Sequence, residues 1–291
     1  MSLTRRRLLL RAAKPAKARL EIGNYGMQHL AVDRALALIR AIGYDGAELC
    51  LMPGWPSEPA KLDAAARRRL REQALPIPTL LENLNLLVSA AEHARTLDRI
   101  RAAADLAQDL AGREPVALLQ TVLGGTGRAW ETVKEEMARR LAEWAAVAGA
   151  CGLRIAVKSH FGSASDTPEK LLWLLDRVRH PALSAIYDYG HFQPLGLGLR
   201  ETLDQLMPRA SFVTVKDSRL LAGNKIQFLL PGEGTIDYGA YFARLKAIGY
   251  RGWVLAEVSR QLQTAPGYDA EAAARRSYAA MAGALRSAGL R

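Results

Sequence analysis

A chain of 291 residues, 49% hydrophobic and 24% charged, can bury a large core and fits a single α/β domain. It holds no apolar run of about 18 residues, which excludes a membrane-spanning helix. The net charge of +11 suggests a nucleic-acid partner only until it is divided along the chain: residues 1–20 hold seven basic side chains and no acid, and 40 basic residues less these seven leave 33 against 29 acidic ones, or +4.

Those seven are Arg5, Arg6, Arg7, Arg11, Lys14, Lys17 and Arg19. Residues 1–18 read as a basic, flexible arm, which can lie on phosphate or anionic lipid but is more simply a solvated terminus. The opening SLTRRRLLLR also resembles the start of a twin-arginine export signal, although Arg11, Lys14 and Lys17 interrupt the apolar stretch such a signal needs. A cytoplasmic protein is expected, with export as the lesser option. Cys50 and Cys151 show no CxxC spacing and read as small buried residues.

From residue 19 onward, short apolar runs alternate with amphipathic segments. RLEIGNYG (19–26) reads as a strand, and VDRALALIRAIG (32–43) as a helix closed by Gly43. A strand over 44–51 delivers Glu48 near its end, and a Pro- and Gly-containing loop with Trp55 leads to a helix over 61–74. Strands follow at 77–84, 116–125, 154–159, 184–188, 211–216 and 252–257, with helices at 91–111, 130–150, 168–178, 199–207, 238–248 and 269–288. Eight strand-then-helix units in one chain imply parallel strands with right-handed crossovers, and the count favours a closed (β/α)8 barrel over residues 19–291. IGNYGMQ lacks the GxGxxG spacing and GxxxxGK[ST] is absent, so dinucleotide and P-loop readings are weak. VLGGTG (122–127) reads as a strand-to-helix turn before it reads as an anion cradle.

The carboxyl ends of the later strands carry the chemistry. SAIYDYGH presents Asp188 and His191, RIAVKSH presents Lys158 and His160, SFVTVKDSR presents Thr214, Lys216, Asp217 and Arg219, and GWVLAEVS presents Glu257. In a parallel barrel such ends converge on one mouth.

The ordered set AIGYDGAEL, IAVKSHFG, TPEKLLWLLDRV, SAIYDYGHF, VTVKDSR, LPGEGTIDY and VLAEVS resembles the sugar phosphate isomerase/epimerase family, the xylose isomerase-like barrels that include inosose-processing enzymes and endonuclease IV. The resemblance spans nearly the whole chain from residue 20. It implies one divalent cation held by Glu, Asp, His and Glu after the fifth to eighth strands. Those positions here hold Lys158, Asp188, Thr214 and Glu257, so two of the four ligands are missing and no metal cofactor is expected. A divalent Mn, Co, Mg or Zn ion would need other residues to rebuild the site.

The expected function is therefore isomerase, epimerase or related lyase chemistry on a sugar or cyclitol carbonyl compound. Lys158 stands in for the ion beside Asp188, and Glu257 is the candidate base. A Schiff-base role for Lys158 needs a depressed pKa, which two neighbouring carboxylates oppose. His160, His191 and Glu48 match family positions near the substrate; Lys216 with Arg219 can hold a carboxylate or phosphate, and Trp55 can wall the pocket. Each has a plainer reading, such as a Lys216–Asp217 ion pair or a buried loop anchor. The alternatives are a non-catalytic pseudoenzyme or sugar-binding barrel in which Lys158 is a charge plug, and, further off, an endonuclease IV-like phosphodiesterase, for which five histidines are few. The expected partner is a small molecule, not nucleic acid or membrane; a homodimer is allowed.

Overall fold

The computed structural model describes residues 17–112 and 114–291. Strands β1 (Arg19–Gly23), β2 (Gly46–Cys50), β3 (Thr79–Leu81), β4 (Leu118–Val122), β5 (Ile155–Lys158), β6 (Leu183–Asp188), β7 (Ala210–Val215) and β10 (Trp253–Ala256) form a closed parallel barrel. β10 pairs with β7 on one side and with β1 on the other, which closes it. Helices α1 (Val32–Ile42), α2 (Ala64–Glu72), α3 (Ala90–Asp109), α4 (Trp130–Ala150), α5 (Pro168–Val178), α6 (Leu199–Leu206), α7 (Tyr238–Ala247) and α9 (Ala270–Ser287) make the connections. The expected (β/α)8 architecture is the observed one. The basic arm expected over 1–18 falls almost wholly outside the described residues. No described helix is long and apolar enough to cross a membrane.

Alternation along each strand sorts the side chains. Leu119, Ile155, Val157, Ala185, Tyr187, Val213 and Val254 belong to the large core cluster, which includes buried residues of the outer helices such as Leu36, Ile100, Leu141 and Leu174. Residues of the other parity, Leu118, Ala156, Ile186, Phe212, Trp253 and Leu255, form a separate cluster that fills the base of the lumen. The same parity carried upward reaches Lys158, Asp188, Thr214, Lys216 and Glu257. The apolar plug thus becomes a floor for the charged strand ends. Arg19 lies 3.9 Å over the Trp253 ring and pairs with Glu114 at 2.6 Å, which finishes the lower end.

Two elements depart from the sequence reading. After β7 the chain does not go directly to a helix: β8 (Asp217–Leu221) and β9 (Lys225–Leu229) form an antiparallel hairpin, and a short helix α8 (Arg260–Gln263) follows β10. The strand expected over 77–84 shortens to Thr79–Leu81, because the following residues turn along the mouth, with Asn85 Oδ1 accepting from Leu87 N–H at 2.9 Å.

Candidate active site

Four strand ends place two ammonium and two carboxylate groups in a closed ring. Lys158 and Asp188 are the last residues of β5 and β6, while Lys216 and Glu257 directly follow β7 and β10. Asp188 Oδ2 lies 3.2 Å from Lys158 Nζ and 3.1 Å from Lys216 Nζ. Glu257 binds Lys158 through Oε2 and Lys216 through Oε1, the latter at 2.6 Å. Each ammonium therefore faces both carboxylates. Asp188 Oδ1 accepts the Gly190 N–H at 3.2 Å. A Cβ at Gly190 would stand 2.7 Å from the Lys216 carbonyl oxygen, so only glycine lets this turn close over Lys216.

The electrostatics follow from mutual neutralisation. Burial alone pulls the Lys158 ammonium down, but Glu257 and Asp188 outweigh it and hold it above the ordinary lysine range. Burial would raise the Glu257 carboxyl, yet Lys158 and Lys216 hold it well below the usual carboxylate range. The ring is ionised and internally balanced, and removing one member of such a set is costly.

A cavity of about 330 Å³ opens beside this ring. Lys158 and Glu257 reach it from the ring, with His160, Ser163, Glu82, Asn83, Asn85, Thr126 and Tyr25 around them. Glu82 pairs with Arg99 of α3, and burial, offset in part by that guanidinium, raises its carboxyl. Glu82, Asn83, Asn85, Tyr25, Thr126 and Ser163 were not among the sequence candidates. Glu82 and Asn83 stand just beyond β3 and Tyr25 just beyond β1, in the 3-10 turn Asn24–Met27, so the same strand-end rule could have found them; Asn85, Thr126 and Ser163 lie farther out on the loops.

The remaining sequence candidates have different surroundings. His160 lines the cavity, while His191 is buried behind it with Nε2 3.5 Å from Asp188 Oδ2. Lys216 does not form an anion clamp with Arg219: it is buried against the protein's own carboxylates, and the hairpin carries Arg219 to an exposed position. Nor does Lys216 pair with Asp217, whose side chain accepts from Gly232 and Ile236 N–H at 2.6 and 3.2 Å and ties down the PGEGTI loop. Trp55 is no pocket wall: it stacks behind Tyr25 at 5.4 Å and donates its indole N–H to the Tyr25 carbonyl at 3.1 Å. Glu48 does not line the cavity either. It is buried in the lumen, and burial, then Glu21 and Glu257, push its carboxyl well above the ordinary range.

The donor set does not fit a divalent cation. Among the described residues no group of three or more His, Cys, Asp or Glu is placed to hold one. The two carboxylates at the mouth are already bound by ammonium groups, and Thr214 Oγ1 is buried without a hydrogen-bond partner.

The comparisons with known proteins agree with this architecture. The chain is 28% identical over 123 residues to an inosose dehydratase of Geobacillus thermodenitrificans (strain NG80-2), covering 38% of this chain and 41% of that protein. It is 26% identical over 164 residues to an inosose dehydratase of Yersinia enterocolitica serotype O:8, covering 50% and 54%. The chain thus spans about half the length of the curated relatives it matches. Among solved structures, the IOLI protein with a binding zinc atom superposes with a TM-score of 0.73 at 19% identity, over 92% of this chain and 98% of that one. An L-ribulose 3-epimerase gives 0.73 at 20% identity, over 94% and 96%. The model of the xylose isomerase-like TIM barrel matches residues 36–282, and with the closed barrel described above the chain belongs to that family.

Proposed function

We propose that the protein acts on a sugar or cyclitol carbonyl compound by isomerase, epimerase or related lyase chemistry, with its own ammonium groups in the electrostatic role of a divalent ion. The observation that carries this reading is that Lys158 and Glu257, directly bonded to each other, both line the cavity. Lys158 has three N–H donors; two serve Asp188 and Glu257, which leaves one for a substrate carbonyl oxygen. The carbon–hydrogen bond beside the carbonyl breaks, its proton passes to Glu257 and Lys158 gives a proton to the oxygen, producing an enediol. Glu257 then returns the proton to a carbon of the enediol, on the opposite face or at the neighbouring carbon, while neutral Lys158 takes a hydroxyl proton back; this forms the product carbonyl and restores the carboxylate–ammonium pair. Coupling the two transfers lets a carboxylate that is individually a weak base take part. Inosose dehydratase and L-ribulose 3-epimerase, by their names, act on compounds of this class, which supports the choice of substrate.

A specific observation favours a second reading, a carbohydrate-binding barrel without catalysis: both oxygens of Glu257 are tied to ammonium groups and its carboxyl is held well below the usual range. Exchange of the hydrogens beside the carbonyl into D2O, followed by NMR for a ketohexose and an inosose, separates the two. Exchange should proceed in excess chelator and fall about 10²–10⁴-fold in Glu257→Gln. No exchange on either probe would support the binding barrel. Abolition by chelator with recovery on adding Mn²⁺ or Co²⁺ would overturn the metal-independent reading.

A further inference from the structure

His160 and His191 lie with ring centroids 4.1 Å apart, and Phe228 of β9 meets both edge-on at 5.9 and 5.3 Å. The backbone of one residue touches both imidazoles. The Phe161 carbonyl oxygen lies 3.0 Å from His160 Nδ1, and the Phe161 N–H donates to His191 Nδ1 at 3.2 Å. A carbonyl oxygen only accepts, so His160 Nδ1 carries the hydrogen; an amide N–H only donates, so His191 Nδ1 is bare.

Burial first, then the neighbouring cations, keeps both rings neutral. His160 is brought down to about 4 with Lys216 and Lys158 adding to burial, and His191 is held well below its ordinary value by burial, Lys216, His160 and Lys158. A neutral ring carries one hydrogen, so the other two nitrogens follow. His160 Nε2 is a lone pair on a cavity-lining ring, and His191 Nε2 is an N–H at 3.5 Å from Asp188 Oδ2.

We propose that the Phe161 backbone, through its N–H and its C=O, locks the two histidines in opposite tautomers, and that His160 Nε2 is thereby the site's acceptor for a substrate hydroxyl on the carbon next to the carbonyl that faces Lys158. This rests on the functional reading above and adds a specificity to it. Lys158 offers only donors and His160 Nε2 only a lone pair, so the cavity sorts an α-hydroxy carbonyl compound from one with a carboxylate or a bare methylene at that carbon. A carboxylate would meet a lone pair, and a methylene would leave a polar nitrogen unpaired. His160 contacts the substrate; Phe161 is a positioning residue acting through it.

The tautomers are read directly, without substrate, from long-range ¹H–¹⁵N spectra of the full ¹⁵N-labelled chain at pH 7, with His160→Phe and His191→Phe used to assign the resonances. Hydrogen on Nδ1 of His160 and on Nε2 of His191 is the expected result. Hydrogen on Nε2 of His160, or an imidazolium at this pH, overturns the proposal. A ketohexose should then shift the His160 Nε2 resonance, and its analogue lacking the hydroxyl beside the carbonyl should bind at least tenfold more weakly; equal affinity for the pair also overturns it. The expected tautomers and discrimination, found together with no hydrogen exchange on any probe, would remove the catalytic reading and leave this assignment standing.

Discussion

On the β5-to-β10 side of the barrel, four ionised groups neutralise one another above an apolar floor, whereas on the β1-to-β2 side two glutamates are buried under a different regime. Glu21 is pushed by burial up to about 8, with the Thr79 hydroxyl at 3.0 Å opposing, and Glu48 goes well above its usual range. One oxygen of each, with Gln120 Oε1 on β4, finds no hydrogen-bond partner among the described residues. The contrast teaches that a buried carboxylate has two ways to survive: a fixed cation, or a proton. The first keeps charge available at the mouth. The second keeps the lumen beneath it neutral, so that the ring is not drawn downward by further charge.

The largest effect should come from breaking the ring. Lys158→Ala leaves Asp188 and Glu257 with one ammonium between them, which by analogy with other buried pairs costs about 3–5 kcal/mol at neutral pH. The sign with pH is informative. In the parent the folded-state pKa of Glu257 lies below its unfolded value, so its contribution is present above about 4.5 and is lost as the pH falls further. In the variant Glu257 should take up a proton at higher pH, so the deficit should shrink on acidification. Urea melts of both proteins at several pH values test this; a deficit that does not change with pH would mean that the ring does not set the charge of these carboxylates.

The opposite side should respond in the opposite direction. Because Glu21 has a raised pKa in the folded state, its protonated form favours folding. The stability it allows is fully present below its unfolded value near 4.5 and declines as the pH rises to about 8. Glu21→Gln keeps an acceptor for Thr79 and removes the titration. It should stabilise the protein by on the order of 2–3 kcal/mol at pH 7 and be nearly neutral below pH 5. Equal stability of the two proteins across that range would show that Glu21 is ionised in the folded state and is compensated by another group.

How much of this was legible in the sequence depended on the range of the physics involved. Alternation and helical spacing are local, so the helices over 130–150 and 168–178 were read to the residue, and the strand ends that place Lys158, Asp188 and Glu257 followed from the barrel. Lys216 reads from the sequence as a partner of Arg219 for a substrate carboxylate or phosphate; only the closed barrel shows that Asp188 and Glu257 engage its ammonium, which completes the ring. Trp55 pointed to a wall, but its place behind Tyr25 depends on a contact between residues thirty positions apart. The hairpin has no counterpart among the predicted elements, because RLLAGNKIQF is short, falls outside the strand-then-helix repeat, and becomes two strands only by pairing with itself.

That hairpin covers the ionised side alone, and one glutamine holds its edge. Gln261 Oε1 accepts the Phe228 N–H at 2.7 Å and its Nε2 donates to the Ile226 carbonyl at 3.0 Å, so a single amide occupies two backbone positions of β9 as a neighbouring strand would. Phe228 in turn meets His160, His191 and, at 4.9 Å, the Lys216 ammonium. Gln261→Ala should cost only about 1 kcal/mol, because the freed edge faces solvent and water can replace the amide. Its consequence should be local. Amide hydrogen exchange should quicken over residues 217–229 while β1 and β2 keep their protection, and the His160 and His191 resonances should move because Phe228 no longer sits squarely on them. Unchanged protection across the hairpin would mean that its packing on the histidines, and not the Gln261 bridge, keeps the ionised side covered.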